Sequence, residues 1–113
     1  MWCRRACSIW TAAAGLALVA AGPVVAQSAG DAKRGLAYAE KTCAECHAVL
    51  SSQMTSPRPG LATFKTIANT PGMTATAILV WLQTPHPTMP NLMIATSDRD
   101  DVIAYIISLK EPR

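Results

Sequence analysis

Apolar residues recur at helical spacing in three stretches of this chain, separated by segments rich in proline, glycine and serine. Ala32, Leu36, Ala39 and Cys43 follow one another at three- and four-residue steps, which predicts an amphipathic helix from Asp31 to Thr42. Asp31 suits the positive N-terminal end of that helix and Lys41 the opposite end. Gly35 inside it costs about 1 kcal/mol in propensity, so a close helix crossing is the expected reason for it. Thr74 to Gln83 reads as a second helix, capped by Thr74, with Ile78, Leu79 and Leu82 on one face and Pro85 beyond its end. Val102, Ile103, Ile106 and Leu109 form the stripe of a third. Ser97 is its expected cap, Asp100 completes a capping-box-like pair, and Lys110 closes the end. Val49 to Gly72 carries Ser56-Pro57, Pro59-Gly60 and Pro71-Gly72, the punctuation of a loop, with a short helical turn at Phe64 to Ala68. The pattern is therefore all-α, without repeats.

The first 26 residues have a different grammar. Arg4 and Arg5 precede an alanine-rich apolar run, Gly22-Pro23 breaks it, and Val24-Val25-Ala26 offers a cleavage site before Gln27. This predicts a cleaved export signal over 1–26 and one small domain over 27–113. The apolar run falls short of the roughly 20 residues of a membrane span, so no stable membrane anchor is expected. Removing 26 of the 113 residues would leave 87, and Cys3 and Cys7 would leave with the signal. Lys plus Arg would fall from 10 to 8 against 7 acidic residues, a net of +1. The basic balance belongs mostly to the signal. With no basic stripe and few aromatics, nucleic acid is not an expected partner.

Chemistry concentrates in Cys43-Ala44-Glu45-Cys46-His47, the C-x-x-C-H pattern of covalent c-type haem attachment. Two thiols at this spacing can add to the two vinyl groups of one haem as thioethers. His47 follows at once, which brings an imidazole nitrogen under the porphyrin as an axial iron ligand. A thioredoxin-like dithiol would need a βαβ setting that the pattern lacks. A zinc site would need a second cysteine pair, and the only other histidine is His86. A domain this small has a thin core, and one haem tied at three points would staple it, so the haem-free chain is expected to be largely unfolded.

Pro85-His86-Pro87-Thr88-Met89-Pro90 makes a stiff loop between the second and third helices. Such a loop can hold one side chain at a fixed point, and Met89 offers a soft thioether as the second axial ligand. His/Met ligation favours ferrous iron and raises the reduction potential. Met93 is the leading rival, His86 a weaker one that reads as a loop residue near the haem edge. Met54 and Met73, like Met93, read as packing or loop residues. Trp81 and Tyr105 read as core.

On the glycine-containing helix before C-x-x-C-H, the Met89-Pro90 pair and the terminal Asp101-Val102-Ile103-Ala104-Tyr105-Ile106 segment, the chain resembles the small class I c-type cytochromes of bacteria over most of residues 30 to 110. The resemblance implies the class I cytochrome c fold, three main helices wrapped around one haem, with the first and last crossing near a right angle. It implies that Gly35 meets the turn carrying Ala104 and Tyr105. Many members place an aromatic residue where this chain has Ala39, with Tyr38 beside it. The family also uses a proline carbonyl to accept the proximal imidazole N–H, a role open here to Pro57 or Pro59.

The resulting expectation is a periplasmic, monohaem electron carrier and not an enzyme, since no catalytic acid, base or nucleophile constellation stands out. Its cofactor would be one haem c held by Cys43, Cys46, His47 and Met89, with iron at His47 and Met89. Its partners would be a redox protein donor and acceptor. Two alternatives belong to other classes: the haem subunit of a larger dehydrogenase or oxidase complex, and an open-site haem protein that binds a small ligand.

Overall fold

The structure, a computed structural model, describes residues 30–112. The export signal expected over 1–26 lies outside the described residues. Four helices and no strand occur among the described residues: α1 Ala32–Thr42, α2 Phe64–Asn69, α3 Ala75–Gln83 and α4 Thr96–Ser108. None is long and apolar enough to cross a membrane.

Local signals account for three of the four starts. Asp31, Thr63 and Thr74 each stand in an extended conformation and accept a backbone N–H from three residues on, which satisfies one of the orphan donors of α1, α2 and α3. The turn expected at Phe64 to Ala68 is thus a capped helix, so the architecture has one more helix than the three expected. α4 departs further. It begins at Thr96 with Ala95 as N-cap and no side-chain cap bond, so Ser97 lies inside the first turn rather than before it. Lys110 does not cap the α4 carbonyls with its side chain either; its ammonium donates to the Met73 carbonyl, tying the end of α4 to the entry of α3.

α4 is the element against which the others pack, α1 most extensively. Ala39, Val102 and Ala68 are fully buried, with Val49, Phe64 and Ile106 beside them in one core. The α1–α4 crossing is close because glycines make it so. A Cβ on Gly35 would stand 2.0 Å from the Asp101 carbonyl oxygen and 2.9 Å from Tyr105 Cβ. Gly35 therefore meets the turn that carries Tyr105, as the resemblance implies, with the Asp101 carbonyl as the nearest group. Ala39 sits fully buried one turn further along α1, where any larger side chain would have to displace the core.

Polar ties lock the same contact. The buried Asp101 carboxylate accepts from Asp31 N–H at 2.6 Å and from the Arg34 guanidinium at 2.7 and 2.9 Å. These bonds, the Arg34 pairing first, hold its carboxyl below the ordinary carboxylate range. Tyr105 is core, as expected; its hydroxyl donates to the Val49 carbonyl at 2.6 Å.

Candidate functional site

α1 delivers the pentapeptide. Beyond Thr42 the chain stays coiled: Cys43 and Ala44 N–H donate to the Ala39 carbonyl at 2.8 and 3.0 Å, and Cys46 and His47 N–H to the Cys43 carbonyl at 3.1 and 2.9 Å. These turns bring Cys43, Cys46 and His47 onto the wall of one cavity of about 730 Å³.

The two thiols are free and half-buried. Burial, and then the neighbouring Cys46, push the Cys43 thiol up to about 11. Reactive low-pKa cysteines typically sit at helix N-termini, whereas Cys43 follows the C-terminal end of α1, where the helix dipole disfavours a thiolate.

His47 is fixed from the opposite strand of chain. Its Nδ1 lies 2.8 Å from the Ala62 carbonyl oxygen. A carbonyl can only accept, so Nδ1 carries a proton in this contact, which in the neutral imidazole leaves Nε2 as the nitrogen with the lone pair. Neither Pro57 nor Pro59 takes the role expected of one of them. The chain turns at Gly60, whose φ of 82° is glycine's to adopt, with Leu61 N–H bonded back to the Arg58 carbonyl. Beyond that turn the Ala62 carbonyl meets the imidazole. Arg58 N–H to the Cys46 carbonyl, Phe64 N–H to the Ala48 carbonyl and Ala48 N–H to Ser56 Oγ hold the loop in register. The Phe64 ring, 5.7 Å from the imidazole and 6.4 Å from the Tyr105 ring, couples His47 to the core.

The segment between α3 and α4 supplies another part of the wall, including His86, Thr88 and Met89. Met89 and Met73 are the two methionines that line the cavity. Met93, the expected rival, is 93% exposed and Met54 82%, and neither reaches it. Met73 is the residue that sequence reasoning undervalued; it follows Pro71-Gly72, whose turn at Gly72 (φ 78°) returns the chain towards the cavity. Trp81 is not the core residue expected. It lies on the cavity wall, 55% exposed, with its ring edge-on to His86 at 5.3 Å.

The volume falls within the range of small-molecule and cofactor sites, and Phe64, Ile67, Ile78, Leu82, Ile94 and Ile106 make the lining mostly apolar. Two thiols, one imidazole and the two thioethers of Met73 and Met89 are gathered on it. That donor set fits a large apolar disc bonded at its edge and ligated at its centre. Among the described residues no group of three or more His, Cys, Asp or Glu is assembled to hold a bare metal ion. The family model described as Cytochrome c matches residues 32–110. The chain belongs to the cytochrome c family. A cytochrome c-552 from Bradyrhizobium diazoefficiens is 32% identical over 82 residues, covering 73% of this chain and 78% of the relative. No solved structure matches the chain. This cytochrome has the all-α class I fold, carries covalently attached haem c, and is an electron-transfer protein rather than an enzyme. Redox proteins are its partners in general terms.

Proposed function

We infer that this cytochrome is an exported monohaem carrier in which Cys43 and Cys46 would hold the haem edge and His47 and Met89 would ligate its iron. One observation carries the reading: all four side chains line a single apolar cavity, and His47 reaches it with Nε2 free. When bound, the haem supplies one-electron chemistry through its ferric and ferrous states.

The chain's own residues do the rest. The Ala62 carbonyl holds the imidazole in one tautomer and orientation and raises its basicity as a ligand. Met89, a soft neutral thioether, favours the lower charge state. The mostly apolar wall offers few dipoles to solvate charge, which again disfavours the extra positive charge. Keeping both ligands through the cycle limits reorganisation. Residues 1–26 act as a cleaved signal that places the protein in the periplasm, where it passes single electrons from a donor protein to an acceptor.

The test is the visible spectrum of ferric and ferrous holoprotein for wild type, Met89→Ala and Met73→Leu. A weak methionine-to-ferric-iron charge-transfer band should be present in wild type and Met73→Leu and absent from Met89→Ala. A band that survives Met89→Ala would remove Met89 from the ligand set, and a high-spin wild type would point to an open iron. Mass measurement of the periplasmic protein should show a chain starting at Gln27; a full-length chain there would refute cleavage.

A further inference from the structure

Three residues among those described have positive φ: Gly60, Gly72 and Thr88. At the two glycines an added Cβ would meet nothing within 4 Å, and their conformation is ordinary for glycine. Thr88 is different. Its φ is 75°, and a β-branched residue in that region is a true outlier, because its branched Cβ crowds the neighbouring carbonyl. It sits next to Met89, in a turn that runs from His86 to Met89 and is closed by Met89 N–H on the His86 carbonyl at 3.3 Å. Proline second and positive φ third is the pattern of a type II turn, which calls for glycine where this chain has threonine.

Apart from the Trp81 ring edge-on to His86, this turn is restrained locally. Among the described residues, the hydrogen bonds of segment 84–94 are local: His86 Nδ1 to the Thr84 carbonyl, Met89 N–H to His86, Ile94 N–H to Leu92. Pro85, Pro87 and Pro90 stiffen it covalently. Thr88 stands at the cavity wall but is exposed, so contacts with the rest of the chain do little to offset its strained backbone.

We propose that Thr88 is a positioning residue whose strained backbone aims Met89 into the cavity while leaving that ligand easy to displace, so that the distal side admits small exogenous ligands. The inference rests on Met89 being the axial ligand. Strain held in the turn is relieved when Met89 withdraws, which favours any competitor for the sixth position by the same factor. A residue at ease with positive φ removes that bias.

The experiment titrates ferric holoprotein with imidazole and follows loss of the methionine charge-transfer band in wild type, Thr88→Gly, Thr88→Val and Met89→Ala. Thr88→Gly relieves the strain but frees the displaced loop, and the difference should raise the half-saturating imidazole concentration about tenfold. Thr88→Val keeps the branched Cβ and the strain while removing the hydroxyl, and should titrate like wild type. Thr88→Gly titrating like wild type would overturn the proposal with Met89 ligation intact. A shift in Thr88→Val equal to that in Thr88→Gly would also overturn it, by giving the effect to the hydroxyl. A band that persists in Met89→Ala would instead refute the ligation reading, and the proposal with it.

Discussion

Replacing Gly35 with alanine should strike the one contact that holds the two largest helices together. The added Cβ would stand 2.0 Å from the Asp101 carbonyl oxygen and 2.5 Å from its carbon. Neither atom can rotate away, because both belong to the α4 backbone. Ordinary contact begins at 3.4 Å, so α1 and α4 would have to separate by roughly 1.4 Å, the shortfall at the closest atom. A gap near 1 Å forfeits a quarter to a half of the dispersion attraction across the interface, where Ala39, Val102 and Tyr105 are packed. Overpacking of this kind costs about 3 kcal/mol or somewhat more, against which alanine returns about 1 kcal/mol of helix propensity. The net loss is about 2–3 kcal/mol, which for a domain this size lowers the melting temperature by roughly 10–20 °C. Thermal unfolding of the holoprotein by circular dichroism measures it. Gly60→Ala is the control, since a Cβ there meets nothing and only the positive φ is penalised, by about 1 kcal/mol. A Gly35→Ala protein melting within a few degrees of wild type would refute the close-crossing argument.

Tyr105→Phe should leave the Val49 carbonyl without its buried donor and destabilise the holoprotein by about 1–2 kcal/mol, measured by urea unfolding. Asp101 contributes through its lowered pKa: the folded state holds fewer protons than the unfolded one, so its stabilisation is complete above the ordinary value of 3.8 and is lost as pH falls through the lowered one. Asp101→Asn should therefore flatten the fall in urea midpoint over that acid window, and an unchanged acid slope would show that the Arg34 pairing carries no linkage. The haem-free chain from Gln27 onward should show no cooperative thermal transition by circular dichroism, because the cavity walls have nothing to pack on; a transition near that of the holoprotein would contradict this.

What could be read in advance follows from where the information sits. α1 and α3 begin at residues whose side chains cap them, so Asp31 and Thr74 announce them before any packing is considered. α4 starts on Ala95, which has no capping group, and the polar run from Ser97 to Asp100 drew the expected start inward. α2 spans only six residues amid prolines and glycines, too short for periodicity to speak. The Pro57 and Pro59 expectation failed because a carbonyl acceptor leaves no mark in the side-chain alphabet; only the turn at Gly60 decides which carbonyl meets His47. Trp81 failed for a related reason, since residue type predicts burial but not which helix face borders a cofactor cavity.

The two sides of the cavity are held by different means, and the difference bears on how the site works. The proximal side is bonded across the chain: Cys46, His47 and Ala48 exchange hydrogen bonds with Ser56, Arg58, Ala62 and Phe64, and α1 behind them is locked to α4 through Gly35 and Asp101. The distal segment has prolines and local bonds but no hydrogen bond to another element among the described residues. Cooperative long-range bonding fixes a group against thermal opening, whereas a segment held locally opens at lower free-energy cost. On the ligation proposed above, His47 is the constant ligand and Met89 the adjustable one. The rigid side keeps reorganisation small during electron transfer, and sequence changes in 85–90 can alter distal ligation without loosening the thioether anchorage.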